Sequence, residues 1–193
     1  YVYNNPTCNK NNYYVLKFDF SGISDSGESS DIMKSFNSCI ILGIENFVSM
    51  YKLNYTIDTS FFPADILRNF LGYFQRLDLD NKIYLMIDEY DDFTNGMFSE
   101  NNELFKNILS SKGFLKNFYS VIKLFSGTVI DRTFITGVCS ISLDSMSSGF
   151  NISTNISNDL KLNSMLGLTH NDVKDLIKEL PNKNKIYDLL VSN

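Results

Sequence analysis

Apolar residues along this chain follow two rhythms, one close to two residues and one of three to four, and the switches between them mark its elements. Tyr13 to Phe20 is rich in β-branched and aromatic side chains and stops at Ser21-Gly22, which predicts a strand running into a loop. Met33, Phe36, Ile40, Ile44 and Phe47 then recur at helical spacing, predicting an amphipathic helix to about Tyr51 with Ser29, Ser30 or Asp31 as its cap. A second helix is predicted from Pro63 to about Leu77, with proline in its first turn and Ile66, Leu67, Phe70, Leu71 and Phe74 on one face. Lys82 to Ile87 is nearly continuous in apolar residues, as expected of a parallel strand buried on both faces, and meets acids abruptly at Asp88. A helix over Asn102 to about Leu124 precedes a third strand, Arg132 to Val138. Beyond it the chain is polar from Ser140 to Asn158. Helices are expected from about Asp159 to Leu166, from Asn171 to Leu180 with Thr169 or Asn171 as cap, and from Asn184 to Val191.

Strands separated by helical crossovers predict an α/β fold with a parallel sheet. The expected division is a core over residues 1–140, with strands near 13–20, 82–88 and 132–138. Residues 141–193 form a polar loop and small helical segment of the same domain.

In such a sheet, ligands sit beyond the carboxyl ends of the strands. Asp19, the run Asp88, Glu89, Asp91 and Asp92, and Thr136 all fall on that rim, and Arg132 falls on the opposite one. An apolar strand followed at once by Asp-Glu has the form of a Walker B motif. Asp88 would hold Mg²⁺ and Glu89 would polarise an attacking water. The competing reading is a solvated turn whose acids cap a helix. Asp19 could equally bond loop amides, and Thr136 is an ordinary strand residue.

Composition narrows the chemistry. The 193 residues, 44% hydrophobic and 20% charged, suit one globular domain. A single histidine, His170, and three cysteines without a C-x-x-C pair, Cys8, Cys39 and Cys139, leave oxygen ligands and a hard cation such as Mg²⁺. The odd thiol count points to a reducing, intracellular setting (cytoplasmic or nuclear), and the sequons at Asn54, Asn151 and Asn155 are what an Asn- and Ser-rich chain yields by chance. A net charge of −5 argues against a nucleic-acid surface, and no apolar stretch is long enough to span a membrane. None of the ten glycines is followed by lysine, so the sequence contains no G-x-x-x-x-G-K-[ST] loop.

Ile87-Asp88-Glu89-Tyr90-Asp91, then a helix, then Arg132-Thr133-Phe134-Ile135-Thr136-Gly137-Val138 resembles the AAA-ATPase-like family, whose members often carry a PD-(D/E)XK nuclease-like domain further on. Lys17-Phe18-Asp19-Phe20-Ser21-Gly22 upstream, and Ser148-Gly149-Phe150-Asn151-Ile152 and Leu166-Gly167-Leu168-Thr169 downstream, extend the resemblance over most of the chain. It implies a partial P-loop NTPase core of the ASCE type plus C-terminal helices, acting on ATP with Mg²⁺. Asp88 would be the metal residue, Glu89 the catalytic acid, Thr136 the sensor, and Asp19 a border of the nucleotide cleft. The first residue, Tyr1, is not methionine, and the family's phosphate loop and first strand are expected to precede it, so the chain by itself is expected to be inactive. The third strand would then be a sheet edge needing cover from a missing segment or a protein partner. Two other readings stand beside this one. The first is a non-catalytic interaction module with a decayed cleft. The second is a nuclease whose metals are gathered by Asp19, Asp88 and Asp91.

Overall fold

A computed structural model describes residues 8–24, 27–95, 108, 113–138, 152–162 and 169–191. The chain divides into two compact units, Tyr1–Ile152 and Ser153–Asn193.

The first unit runs β1 (Tyr13–Asp19), α1 (Ser29–Met50), α2 (Pro63–Arg76), β2 (Lys82–Asp88), α3 (Phe114–Phe125) and β3 (Ile130–Ile135). The strands form a parallel sheet in the order β1-β2-β3, with the apolar strand in the middle. Register places Tyr13 beside Lys82 and Asp19 beside Asp88, so β1 and β2 end level with one another.

One face of the sheet is buried. Leu16 and Phe18 of β1 and Ile83, Leu85 and Ile87 of β2 are at most 1% exposed, and they share a core with Phe36, Ile40 and Ile44 of α1, Phe70 and Leu71 of α2, and Phe118 and Ile122 of α3. Tyr14 packs edge-on against Tyr51 and Phe74, while Phe118 meets Phe18, Phe20 and Phe36. The opposite face carries Val15, Lys17, Tyr84, Met86 and Asp88 and stays half-buried or exposed. The expectation that Lys82 to Ile87 is buried on both sides is therefore corrected. Only alternate residues reach the core, since the described helices lie over one side.

The outer side of β1 is closed by α1. Val15 N–H donates to the Tyr51 hydroxyl at 2.9 Å, and the Cys39 thiol donates to the Asp19 carbonyl at 2.9 Å. Gly43 lets the helix come this close, because a Cβ there would lie 2.5 Å from the Phe18 ring and 2.8 Å from the Lys17 carbonyl oxygen. At the other end, β3 pairs with β2 alone among the described residues.

Several boundaries differ from expectation. β3 begins at Ile130, not Arg132, because Val129 and Ile130 are already buried and Ile83 pairs with Ile130. It ends at Ile135, where the chain turns away through Gly137. α1 starts at Ser29 after an extended Glu28, with no side-chain cap bond, and Asp31 instead pairs with Lys34 at 3.1 Å. α2 begins on Pro63 as expected. Of the helix expected over Asn102 to Leu124, the part after Gly113 is seen as α3, and most of the rest lies outside the described residues.

In the unit Ser153–Asn193, α4 (His170–Ile177) and α5 (Lys183–Val191) follow one another. Thr169 caps α4 in a reciprocal box with Asp172. The sole histidine, His170, shares a 3.1 Å hydrogen bond with the Tyr187 hydroxyl, which ties α4 to α5. Residues 159–162 form turns instead of the expected helix start, with the Asp159 carboxylate accepting from Lys161 N–H, and 163–168 lie outside the described residues.

Candidate functional site

Parallel strands that end level deliver their last side chains to one rim. Asp88 closes β2, Asp19 closes β1 beside it, and Thr136 follows β3. Arg132 is at the other end of the sheet, where its guanidinium donates to the Tyr13 hydroxyl at 3.3 Å.

The rim is stitched together by main-chain bonds beyond the strands. Phe20 N–H donates to the Asp88 carbonyl at 3.0 Å, Thr136 N–H to the Ile87 carbonyl at 2.9 Å, and Tyr90 N–H to the Thr136 carbonyl at 3.0 Å. Three strand exits are thereby held in register, so the side chains between them meet in a defined way.

Asp88 is the centre of the arrangement. The Thr136 hydroxyl donates to its Oδ1 at 2.5 Å, and the Lys17 ammonium lies 3.1 Å from its Oδ2. The Thr136 hydrogen bond and then the Lys17 ammonium hold the Asp88 carboxyl below the usual carboxylate range. The same contact, with Asp88 as hydrogen-bond partner, raises the Lys17 ammonium above its ordinary value. Lys17 was not anticipated. Alternation within β1 does place it on the same open face as Asp19, but only strand register brings it to Asp88.

Asp19 shares the rim, 3.8 Å from Lys17, yet its Oδ1 is committed to a local turn, accepting from Ser21 N–H at 3.2 Å and from the Ser21 hydroxyl at 2.8 Å. A groove of ≈ 600 Å³ between β1 and α1 is lined by Lys17, Asp19, Cys39 and Gly43 and by neither Asp88 nor Glu89. Burial pushes the Cys39 thiol above its ordinary range.

Glu89 has a left-handed backbone, φ 51°, a conformation that costs a residue with a Cβ about 1 to 2 kcal/mol. Such strain is concentrated where a side chain must be aimed. Among the described residues no hydrogen bond or ion pair reaches the Glu89 carboxylate.

Asp91 behaves differently from its neighbours. It is completely buried, with Oδ1 accepting from Val138 N–H at 3.1 Å and Oδ2 from the Asn95 amide at 2.8 Å. It therefore does not join Asp19 and Asp88, and among the described residues no group of three or more His, Cys, Asp or Glu is placed to hold a metal ion. What the rim offers a cation is one carboxylate, Asp88, with the Thr136 hydroxyl beside it.

No helix of the described residues is long and apolar enough to cross a membrane. No curated protein and no solved structure matches the chain. The family model for AAA-ATPase-like proteins, described as "Predicted AAA-ATPase", matches residues 1–147, which takes in the whole three-stranded sheet and its acidic rim. The chain belongs to the AAA-ATPase-like family.

Proposed function

We propose that this chain supplies the metal-anchoring and water-activating acids of an ATP-hydrolysing module. The supporting observation is the state of the two adjacent acids. Asp88 is ionised and held by Thr136 and Lys17 at the end of the central strand, while Glu89 next to it is bent out of regular strand geometry and uncommitted.

In this reading Asp88 would hold Mg²⁺ on the open face of the sheet, and Thr136 fixes the orientation of its carboxylate. The metal, when bound, neutralises charge on the nucleotide phosphates. Glu89 accepts the proton of the attacking water. Lys17, 3.1 Å from Asp88 Oδ2, balances the carboxylate charge and would share that oxygen with a bound cation. Asp19, through its turn with Ser21, shapes the far side of the rim. The 193 residues contain no G-x-x-x-x-G-K-[ST] loop, so this reading requires a phosphate cradle from elsewhere, and among the described residues β3 pairs with β2 alone. Asp91 is turned inward, which takes the third acid from a nuclease-type metal cluster.

The test is hydrolysis and nucleotide affinity in a longer protein that brings a phosphate-binding loop to this segment. Glu89→Gln is expected to lower kcat by about 10² to 10⁴ while nucleotide binding survives, because the glutamate acts in the transition state. Asp88→Ala is expected to weaken both Mg²⁺-nucleotide binding and turnover. The 193-residue chain alone is expected to hydrolyse no ATP. If both substitutions leave hydrolysis unchanged, the acids are a solvated turn and the interaction-module reading takes over.

A further inference from the structure

We infer that Asp91 is a positioning residue, which latches the loop leaving β3 to the turn leaving β2 and so sets the Thr136 hydroxyl on Asp88. Its importance for hydrolysis rests on the reading of Asp88 given above, whereas the latch itself does not.

A carboxylate with no exposed surface is costly to bury unless its oxygens are bonded. Asp91 spends one oxygen on the Val138 main-chain N–H, 47 positions along the chain, and the other on Asn95 in the short helical turn, residues 92–95. The Thr94 hydroxyl and Asn95 N–H both donate to the Asp91 carbonyl, at 2.9 Å each, so Asp91 sits rigidly at the start of that turn. From there it reaches the far loop.

The contact is too close for any side chain between the two. A Cβ on Gly137 would lie 2.2 Å from Asp91 Oδ1 and 2.5 Å from the Tyr90 ring. Glycine is required here by approach, and it is flanked by the residue that holds Asp88, Thr136, and the residue that Asp91 holds, Val138. Tyr90 adds a third tie through its N–H to the Thr136 carbonyl. Val138 itself is 87% exposed, so its side chain contributes little and the N–H is what matters. Thr136 is thus pinned on both sides, and the Asp91 side of the pin is electrostatic and removable.

The 193-residue chain suffices for the test. Three-bond couplings to the Thr136 methyl carbon report its side-chain rotamer, with folding checked by thermal melting. The wild type is expected to show a single rotamer. Asp91→Ala, and independently Val138→Pro, which deletes the donated N–H while also constraining the backbone at 137 and 138, are expected to give averaged couplings. Asp91→Asn is expected to restore the single rotamer, since its amide oxygen still accepts from Val138 and Asn95 turns over to face the new amide. A folded Asp91→Ala or Val138→Pro that keeps the wild-type couplings would overturn the proposal, and Val138→Pro decides the matter if the alanine variant does not fold. In an ATP-hydrolysing protein, Asp91→Ala should weaken Mg²⁺-nucleotide binding and lower kcat by as much as Thr136→Val, and add nothing in the double variant. Averaged couplings without any hydrolysis to lose would uphold the latch and sink the ATPase reading instead.

Discussion

Thr136→Val replaces a hydroxyl by a methyl of nearly the same shape, so its effect isolates the hydrogen bond to Asp88. Bonds to charged groups contribute about 1.5 to 3 kcal/mol when sheltered. The Asp88 side chain is 42% exposed, so water competes and the figure is discounted to about 1 kcal/mol. For a chain of this size that corresponds to a fall in Tm of about 2 to 4 °C. The dependence on pH distinguishes the bond from packing. The folded-state pKa of Asp88 is depressed, so its contribution is fully present above the ordinary carboxylate range and is lost as pH falls through the lower folded value. Urea titrations of wild type and variant should therefore differ by a constant amount at neutral and mildly acidic pH. They should converge only below the ordinary carboxylate range. A difference that persists unchanged into acid, or equal stability at pH 7, would refute the assignment.

Gly43→Ala sets helix propensity against packing: alanine gains about 1 kcal/mol over glycine in a helix, but its Cβ would lie 2.5 Å from Phe18 and 2.8 Å from the Lys17 carbonyl oxygen. Overpacking at the upper end of its about 1 to 3 kcal/mol range wins, so chemical denaturation should show a loss of about 2 kcal/mol, and a more stable variant would mean that α1 does not approach β1 so closely. Thr169→Ala removes the N-cap of α4 and should cost that helix about 1 kcal/mol, read as faster amide exchange at Asp172 and Val173 with the sheet amides unaffected; unchanged exchange at Asp172 would show that the cap contributes nothing.

Much of the architecture was legible along the chain, because an element's identity is a local property. The run Lys82 to Ile87 could be recognised as a strand, and Pro63 as a helix start, from residues within one or two turns of each other. The rim was legible for a related reason. Once strands are parallel, direction alone puts Asp19, Asp88 and Thr136 at one end and Arg132 at the other.

What the tertiary structure decided was which of those groups touch. Lys17 meets Asp88, 71 positions away, because β1 and β2 pair in one register and not a neighbouring one. Asp91 looks in the sequence like one more acid of an exposed cluster, yet the fold buries it and spends both its oxygens on loop contacts. The need for glycine at positions 43 and 137 is likewise invisible locally, since each is set by a backbone or ring arriving from elsewhere in the chain. Periodicity records how a segment presents itself to a core. Distances between rim side chains depend on strand register and close backbone approach, which only the assembled sheet and helices define.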